Sequence, residues 1–159
     1  MIDELSPMRY YEDLKVGNRV VGDETYTVTA EEIKSFAGEW DPMPFHLDEE
    51  LAEQSPIGRL FASSVHTIAI AVRLSHRLKG DSLAAVAGLG WDEARFHLPV
   101  CAGDDLRVEA EVVSKRESAS KQDRGICINQ LSVFNQNGML AAEIKIASLV
   151  LKRPAPASL

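Results

Sequence analysis

Between Val65 and Leu74 the sequence is apolar nearly all the way round a helix, through Val65, Ile68, Ala69, Ile70, Ala71, Val72 and Leu74. A helix without a wet face must be buried on most sides. Ser63 and Ser64 offer N-caps for it, and the pattern predicts that it runs to about Leu78 and closes at Gly80. The rest of the chain has to wrap this helix, and from Ala84 the period changes from helical to alternating. Leu106, Val108, Ala110 and Val112 alternate with Arg107, Glu109 and Glu111, which gives one buried and one wet face. A further strand is expected from Gly125 to Phe134. Asn137-Gly138 is a two-residue hairpin signal, and after it Leu140, Ala142, Ile144 and Ile146 alternate with Ala141, Glu143 and Lys145.

Ahead of the apolar helix, the turn signal Gly17-Asn18 precedes an opening strand rich in Val and Thr, from Arg19 to Val28. Thr29 with Glu32 forms a predicted capping box, followed by the apolar stripe of Ile33, Phe36 and Ala37. Gly38, Pro42 and Pro44 are expected to break that helix and leave Gly38 to Leu47 as a loop. Asp48-Glu49-Glu50 then opens a second short helix reaching about Gln54. One strand, two short helices, one long buried helix and about four antiparallel strands make an α+β plan, a curled antiparallel sheet wrapped around a central helix. That is the hot-dog arrangement. At 159 residues the chain holds one such domain, residues 1–159, with about 153–159, around Pro154-Ala155-Pro156, as a frayed tail.

Charge and composition narrow the function. With 17 basic against 24 acidic residues the net charge is -7, which opposes a nucleic-acid backbone. No apolar run approaches the roughly 20 residues of a bilayer span. No leader is expected, and Cys101 and Cys127 read as buried free thiols of a cytoplasmic protein.

The segment Gly38-Glu39-Trp40-Asp41-Pro42-Met43-Pro44-Phe45-His46-Leu47 carries the most chemistry. It sets a carboxylate and an imidazole five positions apart on a stretch stiffened by two prolines. Both are natural acid-base groups near neutral pH, and both can share one water. The plainer alternative has Asp41 capping the following turn and His46 merely starting a helix. His66, His76 and His97 read as satisfied core or interface histidines. A metal site needs three or four converging ligands, and no HxH, HExxH or CxxC spacing supplies them, so none is expected.

The stretch GEWDPMPFHLDEELA is similar to the hydratase-2 motif of MaoC-like dehydratases and (R)-specific enoyl-CoA hydratases, with Asp41, Pro44 and His46 at the matching positions. The opening YYEDLKVGNRV, the helix FASSVHTIAIAVRL and the strands FHLPVCAGDDLRVEAEVV resemble the same family in order and spacing, so the likeness covers nearly the whole chain. The resemblance implies a hydratase/dehydratase that interconverts 2-enoyl and (R)-3-hydroxyacyl thioesters, with Asp41 and His46 as acid-base pair. It also implies that the backbone N–H of Ser64 receives the thioester oxygen. No cofactor is implied beyond coenzyme A as part of the substrate, and acyl carrier protein is the alternative handle. Arg73, Arg77 and Lys79, near the helix end, read either as solvated surface charge or as contacts to coenzyme A phosphates, and are not named as site residues. The implied assembly is a homodimer or larger even oligomer.

Two positions depart from the family pattern. Met43 stands where the family usually has Asn, removing a polar contact from the site. Ser64 stands where it usually has Gly, and any residue but Pro keeps the N–H at a helix start. An acyl-thioester hydrolase of the same fold would usually place an acid on or near the long helix, and Ser63 to Leu78 contains none. A catalytically silent domain that binds an acyl thioester or stabilises a subunit is the remaining alternative.

Overall fold

A computed structural model describes residues 8–80 and 82–155. Four long strands, β5 (Ala85–Phe96), β6 (Asp105–Glu117), β7 (Arg124–Phe134) and β8 (Leu140–Leu151), build an antiparallel sheet in the order β6-β7-β8-β5. The expected opening strand is two short pieces, β2 (Arg19–Val21) and β3 (Tyr26–Thr27), both on the outer edge of β6. They are separated at Gly22, whose backbone runs so close to β6 that a Cβ there would sit 2.7 Å from the Val108 carbonyl oxygen. A parallel pair, β1 (Met8–Arg9) with β4 (Ser82–Leu83), lies apart from the main sheet.

Helix α4 (Ser64–Ser75) lies against the sheet, and Ile68, Ile70, Ala71 and Leu74 join Leu106, Val108, Leu131, Val133, Ala142 and Ile144 in one buried cluster. This is the predicted fold, the hot-dog fold, with Leu106 and Val108 of β6 and Ala142 and Ile144 of β8 in the core shared with the helix. Ser63 alone is the N-cap: its Oγ accepts from the N–H of His66 at 3.1 Å. The helix stops at Ser75, a turn short of the expected end. Its burial also differs from expectation, because Val65 remains 49% exposed and Ala69 is exposed too. On the wet face of β6, Glu109 is buried, since Arg19 and Arg107 close over its carboxylate.

A second, smaller cluster covers the far end of the sheet. Tyr11 and Leu14, in and after a single 3-10 turn (Tyr11–Asp13), pack on Val112, Cys127 and Val150. The Tyr11 ring lies directly on Gly125, where any Cβ would overlap it. Cys101 and Cys127 are buried free thiols, as the sequence suggests, and burial pushes both above the usual thiol range. Among the described residues, no helix is long and apolar enough to cross a membrane. Of the expected tail, residues 156–159 lie outside the described part.

Candidate active site

The segment carrying Asp41 and His46 is more helical than its composition suggests. Helix α1 (Ala30–Trp40) passes straight through Gly38, a residue that costs only about 1 kcal/mol inside a helix, and ends when Pro42 cannot continue it. Asp41 is the C-cap, its N–H bonded to the Ala37 carbonyl at 3.0 Å. Pro44 then opens a one-turn helix, α2 (Pro44–Leu47), at the position where its fixed φ and missing N–H are harmless. The expected ten-residue loop therefore shrinks to Asp41, Pro42 and Met43, pinned by Met43 N–H to Asp41 O at 2.7 Å and His46 N–H to Met43 O at 2.9 Å. Helix α3 (Glu49–Glu53) follows, capped by Asp48.

This hinge brings the two side chains together. His46 Nε2 lies 4.0 Å from Asp41 Oδ2. The separation is too long for a direct hydrogen bond and suits one water bonded to both. His46 is only 4% exposed, with its ring edge-to-face against the stacked pair Phe45 and Phe61, whose centroids lie 4.7 and 4.6 Å away. Its Nδ1 lies 2.8 Å from the carbonyl oxygen of Phe61. A carbonyl can only accept, so in the neutral ring Nδ1 carries the proton and Nε2 presents its lone pair towards Asp41. The Asp41 carboxylate is about one third exposed and reachable from solvent.

The Phe61 carbonyl is itself held in place, because Ala62 N–H donates to Val100 O at 2.7 Å and Ala102 N–H to Leu60 O at 3.1 Å, flanking a bridge between Phe61 and Cys101. Ser64 follows three residues later, at the first position of α4, where the helix geometry leaves its N–H without an intrahelical acceptor. Its side chain is exposed, as is that of Met43.

The other candidates are spoken for locally. Arg73 stacks over the Tyr26 ring at 5.2 Å, Arg77 pairs with Glu24 at 3.2 Å, and Lys79 pairs with Asp23. His97 meets Glu143 at 2.9 Å on the surface, and His76 is the exposed C-cap of α4. Among the described residues no three His, Cys, Asp or Glu side chains converge. What the sequence reading missed is the Phe61 carbonyl, which leaves no mark in residue type, and the partnership of Glu32 with His66. The expected capping box is half formed: Thr29 Oγ1 accepts from Glu32 N–H at 3.2 Å, while the Glu32 carboxylate turns to Tyr26 and His66.

Comparison with known proteins agrees with this architecture. A MaoC-like dehydratase from Rhodospirillum rubrum is 40% identical, with a TM-score of 0.84 over 92% of this chain and 99% of that one. An (R)-hydratase from A. caviae involved in PHA biosynthesis is 27% identical, with a TM-score of 0.66 over 90% of this chain and 99% of that one. The 3-hydroxyacyl-thioester dehydratase Z of Mycobacterium tuberculosis is 34% identical over 101 residues, 61% of this chain and 66% of that protein. The family model for the MaoC like domain matches residues 13–130, most of the described fold and the whole of the Asp41 to Ser64 region, and the chain belongs to that family.

Proposed function

We propose that this protein is a hydratase/dehydratase that interconverts 2-enoyl and (R)-3-hydroxyacyl thioesters, with coenzyme A as the handle and Asp41 and His46 as the acid-base pair. The observation that carries this reading is the bond from His46 Nδ1–H to the Phe61 carbonyl, which leaves a bare Nε2 facing the Asp41 carboxylate across 4.0 Å. A water between them donates one hydrogen bond to each. As its oxygen bonds to the β-carbon of the enoyl thioester, one of its protons passes to Nε2 and the displaced electron pair moves to the thioester oxygen. That developing charge is received by the Ser64 N–H at the positive end of α4. The pair then returns a proton to the α-carbon, which completes the addition of water, and dehydration is the same path reversed.

The names of the relatives, an (R)-hydratase and a 3-hydroxyacyl-thioester dehydratase, support the reaction class and the hand of the product. The exposed apolar side chains beside the pair, Trp40, Met43 and Leu47, favour an apolar acyl group. The test is hydration of crotonyl-CoA by the pure protein, with chiral analysis of the 3-hydroxy product. Hydration to the (R) product is expected. Thioester cleavage without hydration would replace this reading with a hydrolase, and binding without turnover would replace it with a silent domain.

A further inference from the structure

We propose that Glu32 and His66 form a brace that sets the acid-base pair at a fixed distance from the oxyanion N–H; this rests on the roles given above to Asp41, His46 and Ser64. His66 is the third residue of α4 and 2% exposed. Its Nε2 lies 3.2 Å from Glu32 Oε1, which also accepts the Tyr26 hydroxyl, and its ring lies flat on Phe36, with centroids 4.3 Å apart and planes 6° from parallel. Glu32 and Phe36 are four residues apart on α1 and share one face. One helix therefore grips the imidazole by its edge and by its plane.

The brace joins the two halves of the site. Asp41 caps the same helix nine residues beyond Glu32, along a rod that spans about 13 Å, so fixing Glu32 and Phe36 fixes Asp41. Ser64 precedes His66 by two residues, and the His66 N–H is bonded to the cap that starts the turn. Water attack at the β-carbon and charge capture at the thioester oxygen occur on one substrate, so both halves must keep one spacing.

The hydrogen bond to Glu32, rather than filled space, is what the imidazole supplies. The Glu32 oxygen accepts, so the ring nitrogen that faces it, Nε2, carries a proton. The other ring nitrogen, Nδ1, is buried with no partner among the described residues. Phenylalanine would fill the same plane against Phe36 without an orphaned polar atom, so histidine's distinctive contribution there is the tie to Glu32.

The experiment compares His66→Phe, Glu32→Ala and Glu32→Gln in crotonyl-CoA hydration. His66→Phe and Glu32→Ala are expected to lower kcat about tenfold or more with KM within about twofold, since spacing governs the transition state more than binding. Glu32→Gln should restore kcat to within about twofold of wild type, because both bonds fall on Oε1 and an amide oxygen still accepts them. Amide hydrogen exchange gives a readout free of turnover: in Glu32→Ala the amides of Asp41 and His66 should both exchange faster than in wild type, and in Glu32→Gln neither should. Unchanged kcat per folded molecule in Glu32→Ala, with only its melting temperature lowered, overturns the brace. If His66→Phe does not fold, the two Glu32 variants carry the comparison alone. Should wild type hydrate no enoyl thioester, the functional reading falls by itself, and the brace is then decided by exchange: faster at both amides upholds it, and no change removes it.

Discussion

At the scale of single residues, the site divides into side chains that the sequence announces and backbone groups that it hides. Asp41 and His46 were legible because acid, prolines and imidazole form a motif. The tautomer of His46 was not legible, since the acceptor that sets it is a main-chain carbonyl fifteen residues away, at Phe61. Asp41→Asn and His46→Gln are each expected to lower kcat by at least about a hundredfold, and the double variant to fall well short of the product, because in the proposed mechanism both act on one water. Steady-state hydration kinetics on the three proteins check this, and near wild-type turnover in either single variant would end the assignment. Ser64 supports a sharper comparison. Ser63 is the cap, so substitutions at Ser64 leave that bond in place, and Ser63 already has the extended backbone (φ -62°, ψ 158°) that a residue before proline prefers. Ser64→Gly should preserve or raise kcat/KM, while Ser64→Pro should fold and lose turnover because the N–H is gone. Activity retained in a folded proline variant would remove this N–H from the mechanism.

At the scale of elements, alternation exposed β6 and β8 in the sequence, and the all-round apolar run exposed α4. The rules that failed were those of local punctuation. Gly38 reads as a helix end, yet the helix runs to Trp40, because a glycine is a mild penalty while the proline at 42 is a firm stop. Glu109 reads as wet from its place in the alternation, yet two arginines from neighbouring positions bury it. The split of the opening strand follows from an approach of Gly22 to β6 that no local pattern encodes. Such contacts carry stability. Gly125→Ala should push the Tyr11 ring off the sheet and destabilise the protein by about 1–3 kcal/mol, read as a lower urea midpoint, whereas an unchanged midpoint would show that the ring swings aside freely. Ser63→Ala should cost about 1 kcal/mol through loss of the α4 cap, measured in the same way.

At the scale of the whole molecule, the sheet has an open side. β5 forms the outer edge opposite β2, and its twelve residues are exposed almost throughout, including Val86, Leu89 and Trp91, the last at 55%. A long edge with apolar side chains is a pairing surface, and together with exposed Val65 on α4 it favours a second copy seated against β5. Sedimentation at micromolar concentration should therefore give a dimer or larger even assembly, and Trp91→Lys should shift it towards monomer; a stable wild-type monomer would refute this. The sheet order has a consequence for biosynthesis as well. β5 leaves the ribosome before β6, β7 and β8, yet among the described strands its one neighbour within the main sheet is β8, the most distant of the three along the chain. Among the described residues this twelve-residue strand pairs with β8 alone, from Phe96 against Ala142 to Ala85 against Val150, so its backbone groups stay open while β6 and β7 are being made, and the sheet closes by joining its first and last long strands.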